Sequence, residues 1–232
     1  MKHKIHICLT IRCASKWHAG SGEGSLVIDR LVRKNARNNP YIPGSTLKGV
    51  VRENCEKLSR TLNFPDPSDP HNTDLTVRDN FHPLNKLDLP VDRLFGNKYE
   101  GGCLFFRDAR PKEELPYHFL KEQSRICRFR MLGTARDQHL FSSEYAVPVD
   151  LRTEIDGYHD DLDCFDESSP PYAYCLLIAG IMMLERIGGD KSTGSGKVEV
   201  LLDSIEYNGK SIGGESVFEY LDSELYYMSK EG

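Results

Sequence analysis

The sequence predicts an α+β sandwich of the ferredoxin-like or RRM-like kind, and three observations carry the prediction. Residues 4–12 place Ile5, Ile7, Leu9 and Ile11 on one face, the period of a half-buried strand. Residues 43–62 read as an amphipathic helix. Residues 173–187 (AYCLLIAGIMMLERI), rich in Leu, Met and Ala, read as a second helix that leads through a glycine-rich loop into an alternating strand at 198–206. The order is strand, helix, strands, helix, strand, interrupted by long insertions.

Each element has a local reason. After the first strand, residues 17–30 (WHAGSGEGSLVIDR) hold three glycines and read as a loop. Pro43-Gly44 then turns the chain into a helix that runs to about Leu62, with Ser45 or Thr46 as the N-cap. Leu47, Val50, Val51, Leu58 and Leu62 form its apolar stripe, and Lys48 and Arg52 sit four apart on another face. Residues 63–92 carry Pro65, Pro67, Pro70, Pro83 and Pro90 among many Asp and Asn, the composition of an insertion rather than a core element. Leu104-Phe105-Phe106 reads as a buried strand. Residues 126–150 read as a protruding β-hairpin tipped by ARDQH, and residues 154–171 as an acidic loop ending in Pro170-Pro171. A further strand is expected around the Asn208-Gly209 turn. The whole chain, 1–232, is expected to form one domain.

Composition narrows the function classes. The apolar fraction of 39% supports a packed core, and no apolar run is long enough to span a bilayer. The N-terminus alternates polar and apolar residues, unlike a secretory signal. The seven cysteines at 8, 13, 55, 103, 127, 164 and 175 contain no CxxC, so neither a zinc knuckle nor a disulfide framework is indicated. A reduced, cytoplasmic protein is expected. The net charge of −5 argues mildly against nucleic acid. The charge is uneven, however. Residues 30–60 hold Arg30, Arg33, Lys34, Arg37, Lys48, Arg52, Lys57 and Arg60 against two glutamates, a local basic surface suited to phosphate. Residues 154–167 carry the opposite sign, without the spacing of an EF-hand.

Two segments suit an anion. Residues 188–197 (GGDKSTGSGK) place four glycines in ten positions, with Lys191 and Lys197 adding positive charge, and their amides can turn toward one ligand. A P-loop fails on spacing, since Ser195 stands where lysine is required and Lys197 is followed by Val198. A dinucleotide fingerprint fails on order, because here the loop runs from helix to strand. A flexible turn without ligand stays open. The second segment, YIPGSTLKGVVR (41–52), offers free amides at a helix start beside Lys48 and Arg52, with Gly49 allowing close approach. A capped surface helix with two solvated cations is the alternative. Trp17 reads as core, and His18 either as a loop contact or as a general acid or stacking ring.

YIPGSTLKGVVRE, RLFGNKYEGGCLFFRDA (93–109), Arg130-x-x-Gly133-Thr134-Ala135 and the glycine loop before Val198 together resemble the RAMP superfamily of CRISPR proteins. Their order is most similar to the backbone subunit of type III effector complexes. The resemblance covers roughly residues 5–206. It implies a modified RRM fold, with several copies lined along one guide RNA beside other effector subunits. It also implies that base pairing to target RNA, rather than the protein, reads sequence. It assigns guide contacts to Ser45, Thr46, Lys48 and Arg52, and to the loop residues Gly189, Lys191, Ser192, Thr193 and Gly194. His18 is a further candidate. The hairpin, called the thumb, with Arg128 and Arg130, is implied to kink the guide–target duplex.

Cutting of target RNA is implied where such subunits carry an aspartate in the loop after the first strand. Here Gly24 occupies that position and Leu26 replaces a proline, which leaves Glu23 and Asp29 as the catalytic candidates. No tightly bound cofactor and no metal ligands are indicated. Mg²⁺ or another divalent ion is expected only if the chain cleaves RNA. The alternative within the superfamily is a stand-alone endoribonuclease processing precursor RNA, with His18 as its acid–base group.

Overall fold

A computed structural model describes residues 2–64, 89–97, 100–112, 115, 119–160, 162–164, 169–214 and 216–221. Most of the 63–92 insertion lies outside them. At its end Pro90–Phe95 forms a short helix, α2.

The central strand β1 (Lys2–Cys13) sits between β6 (Asp150–Asp160) and β7 (Val198–Tyr207), antiparallel to both. On the far side of β6 lie β2 (Leu104–Phe106) and β3 (Arg110–Pro111), and β8 (Lys210–Ser211) extends β7 through the Asn208-Gly209 turn. The order β2-β6-β1-β7, all antiparallel, with a helix after β1 and another after β6, is the ferredoxin-like arrangement.

The alternation of β1 decides the layers. Ile5, Ile7, Leu9, Ile11 and Cys13 are buried toward the helices, whereas Lys4, His6, Cys8, Thr10 and Arg12 line the other face. Helix α1 (Gly44–Thr61) buries Leu47, Val51 and Cys55, and Val50, Leu58 and Leu62 pack at its margin, the stripe read from the sequence. Helix α3 (Tyr172–Met182) is buried from Tyr172 to Ile181 because α1, α2, β7 and the 3-10 turn Ser216–Tyr220 all contact it. Gly180 permits the close crossing of α1 and α3: a Cβ there would overlap the Cys55 sulfur, and its carbonyl accepts from Asn54 Nδ2 at 3.0 Å.

Four local expectations are corrected. Neither Ser45 nor Thr46 caps α1. The cap is Pro43, and the Gly44 amide donates instead to Asp108 Oδ1 at 3.0 Å, so a distant carboxylate replaces the local hydroxyl. Helix α3 stops at Met182 rather than 187, because residues 185–187 are drawn into pairing across the glycine loop: Val198 donates to the Glu185 carbonyl and Ile187 to Gly196. Residues 154–160 are strand, not acidic loop. Their carboxylates alternate with inward Ile155, Gly157 and His159, a period hidden by the density of charge. Finally, the hairpin comprises β4 (Leu120–Arg128) and β5 (Ala135–Ala146), so the turn is residues 129–134 and Ala135–His139 belongs to β5.

Candidate nucleic-acid interface

The hairpin, the glycine loop and residues 17–34 meet at one end of the sheet. The root of β5 is pinned first. Trp17, fully buried, exchanges backbone hydrogen bonds with Ala146, and its indole donates to the Val147 carbonyl. The Glu144 carboxylate, also buried, accepts from the Val32 amide at 3.0 Å and from Lys34 Nζ at 2.8 Å. Asp29 Oδ2 accepts from the Ser142 amide at 2.7 Å.

His18 locks the glycine loop onto this root. Its ring is 5% exposed, with Nδ1 bonded to the Glu144 carbonyl at 2.7 Å, and its own carbonyl accepts from the Gly189 amide. This ring therefore has no open face for a base. Gly188 and Gly196 hold positive φ angles of 83° and 73°, and a Cβ on either would overlap the carbonyl oxygen of His18 or Ile187. These two glycines serve packing. The open arc is Lys191–Thr193, one 3-10 turn in which Lys191 is half-buried and Ser192 and Thr193 are exposed, and Gly194, whose missing side chain faces open space at φ +87°.

Asp190 ties all three segments together from a left-handed backbone position. Its Oδ2 accepts from the Tyr145 hydroxyl at 2.6 Å and from Arg30 Nη2 at 2.7 Å, and its Oδ1 from Arg125 Nη1 at 3.4 Å. Arg125 also reaches Thr193 Oγ1 at 3.3 Å, and Arg30 Nε donates to Ser143 Oγ at 3.0 Å. Burial works to raise the Asp190 carboxyl, but the Tyr145 hydroxyl and the two arginines outweigh it and hold it below the usual carboxylate value. Burial, then the bond to ionised Asp190, pushes the Tyr145 phenol up. Lys16 Nζ stands 4.4 Å from the Tyr145 ring centroid and donates to Gln123. Arg30 and Arg125 keep 46% and 35% of their side chains exposed, so both guanidiniums still face solvent.

The sequence did not single out Lys16, Arg125, Tyr145 or Asp190, and Arg30 figured only in its basic stretch. Asp190 lies 160 residues from Arg30 and 65 from Arg125, a separation that no local pattern reports.

The predicted cations of α1, Lys48 and Arg52, are committed elsewhere. Lys48 Nζ donates to the Leu104 carbonyl at 3.1 Å, and burial, then Arg52, lowers its pKa. Arg52 donates to Glu56 at 2.8 Å and to the Gly96 carbonyl at 3.0 Å, with Asp92 3.7 Å away. Ser45 is exposed and Thr46 half-buried at the start of α1. Arg128 and Arg130 are exposed, one ending β4 and one in the hairpin turn. That turn is apolar and open: Phe129 is 50% exposed, Met131 99% and Leu132 74%.

The catalytic candidates separate. Glu23 is exposed and Asp29 is engaged with β5. A Cβ at Gly24 would stand 2.7 Å from the Asp29 carbonyl oxygen, so an aspartate at 24 demands a different loop path. No group of three or more His, Cys, Asp or Glu that could hold a metal occurs among the described residues.

The fold and this junction define a ferredoxin-like domain with a hairpin inserted before its third core strand and a glycine-rich loop before its last. The profile describing the RAMP superfamily matches residues 10–199, and the chain belongs to that superfamily. No curated protein sequence matches it. Among solved structures the chain is similar to one in the cryo-EM structure of the Type III-B Cmr-beta bound to cognate target RNA. The TM-score is 0.55 at 18% identity, over 89% of this chain and 60% of that one. This chain thus spans about 60% of the length of that relative.

Proposed function

We propose that the chain is a guide-RNA-binding backbone subunit of a type III CRISPR effector complex, assembling in copies along the guide in the cytoplasm with other effector subunits. The observation that carries this reading is the junction of Lys16, Arg30 and Arg125 with the open arc 191–194 at the hairpin root of a RAMP fold. The half-exposed side chains of Arg30 and Arg125, with Lys16 beside them, suit successive phosphates. The exposed Phe129, Met131 and Leu132 suit insertion between bases, which would kink a guide–target duplex. No described helix is long and apolar enough to cross a membrane.

The test is a titration of labelled single-stranded RNA at several salt concentrations. Arg30→Ala and Arg125→Ala should each lower the salt slope by about 0.7, the value for one lost phosphate contact. Lys48→Ala and Arg52→Ala should change it less, because Arg52 keeps only 21% of its side chain exposed and Lys48 is half-buried with its amine held by the Leu104 carbonyl. Wild-type protein that shows no salt-dependent RNA binding would sink the proposal.

For target cleavage by this subunit we propose Glu23, whose carboxylate is exposed, over Asp29, which is held by β5, as the group that would accept the 2′-hydroxyl proton. In the assembled complex, cleavage of complementary RNA should then be lost in Glu23→Gln and retained in Asp29→Asn. The processing-ribonuclease reading loses support because His18, its acid–base candidate, is buried.

A further inference from the structure

The helix-free face of the sheet holds a constellation that no step above uses. His6 and Cys8 are two residues apart on β1 and share that face, and Asp156 is the cross-strand partner of His6 on β6. The contacts run in one line. His6 Nδ1 lies 2.8 Å from Asp156 Oδ1, and His6 Nε2 lies 3.3 Å from Cys8 Sγ. With Nδ1–H donating to the carboxylate, Nε2 presents its lone pair to the thiol. Arg107 keeps the carboxylate in place, with Nη2 3.6 Å from Asp156 Oδ2. A depression lined by Lys4, His6, Asp156, Glu206 and Gly209 opens beside the imidazole.

We propose that Cys8, His6 and Asp156 form a thiol-activating relay, and that Cys8 is a site of exchange with small disulfides. His6 Nε2 takes the Cys8 proton, and Asp156 stabilises the imidazolium. The thiolate attacks one sulfur of the incoming disulfide, a new S–S bond forms to Cys8 and the old one breaks. The departing thiolate takes the proton back from His6 and leaves as the free thiol. One disulfide and one thiol enter, and one disulfide and one thiol leave.

The other buried cysteines lack such a base. Burial pushes the thiols of Cys13 and Cys175 up to about 12 and raises that of Cys55 as well, so these remain protonated and inert. Cys8 retains 9% of its surface, against 3% for Cys13 and none for Cys55 and Cys175.

The test is incubation of the full chain with glutathione disulfide, acid quenching and peptide mapping of every cysteine by mass spectrometry. Mixed disulfide at Cys8 should form about tenfold or more slowly in His6→Gln than in wild type, the loss expected for a removed general base. The exposed Cys103 and Cys127 should react at unchanged rates in both. Asp156→Asn should slow Cys8 as well, and it decides the matter if His6→Gln loosens the strand, a failure seen as Cys13 becoming reactive. Cys8 left unmodified while Cys103 and Cys127 react, or equal Cys8 rates in wild type and a folded variant, would overturn the proposal.

Discussion

Asp190 holds two arginines and a phenol with one carboxylate, and it does so from a backbone conformation that side chains other than glycine rarely adopt. Bonds to a charged group contribute about 1.5–3 kcal/mol, so Asp190→Asn should destabilise the protein by that order in denaturant titrations at neutral pH. The pH dependence has a definite sign. The folded pKa lies below the unfolded value of 3.8, so the contribution is complete above that value and is lost as the pH falls through the folded pKa. Wild type and Asp190→Asn should therefore converge in stability in strong acid. A gap that persists there would assign the effect to packing instead of charge. Nothing in GGDKST marks Asp190 as a hub, because its partners come from two other segments. The glycine pattern was legible, but the carboxylate among the glycines was not.

At the scale of elements, the glycine loop divides into a packed part and an open part. Gly188 and Gly196 combine positive φ with a neighbouring carbonyl where a Cβ would stand. Alanine at either should cost more than the roughly 1 kcal/mol of left-handed strain alone. Gly194→Ala meets open space and should cost only that strain in thermal melts, while altering RNA affinity if the open arc binds phosphate. Equal destabilisation at all three positions would contradict this division. Sequence reading found β1 and α1 because each shows one face to the core with a clean period, and β7 because its apolar residues alternate on either side of a bulge at Asp203. It missed strand character at 154–160, where Glu154, Asp156, Tyr158 and Asp160 stand on one face and the inward residues include Gly157 and His159, which carry little hydrophobic signal. It placed the hairpin turn too late because polar ARDQH looks more like a turn than FRMLGT does. In the structure the apolar residues are the ones at the exposed bend.

Across the whole molecule, the ferredoxin-like order was legible from element sequence alone, since a strand–helix–strand pair with periodic faces admits few other packings. The side chains between the layers set the acid limit of that packing. His159, buried and 2.9 Å from the Tyr174 hydroxyl, has its pKa lowered from 6.5 to about 4, first by burial. The unfolded chain takes up that proton below 6.5 and the folded chain resists it until about 4. Stability should therefore be full above 6.5 and decline between those values, and His159→Gln should flatten that segment of the profile. The hairpin stands apart from this core. Leu120 pairs with Ala146, so the chain leaves the body and returns to it at neighbouring positions. An arm whose two ends already touch is a module: because Arg125 pairs with Phe141, replacing residues 126–140 by a two-residue turn should keep Arg125 and Ser142 at the junction and ask nothing of β2, β6 or β1. Such a truncation separates the two halves of the molecule genetically, leaving a body that folds and holds single-stranded RNA through its remaining contacts but has lost whatever the arm does to a duplex.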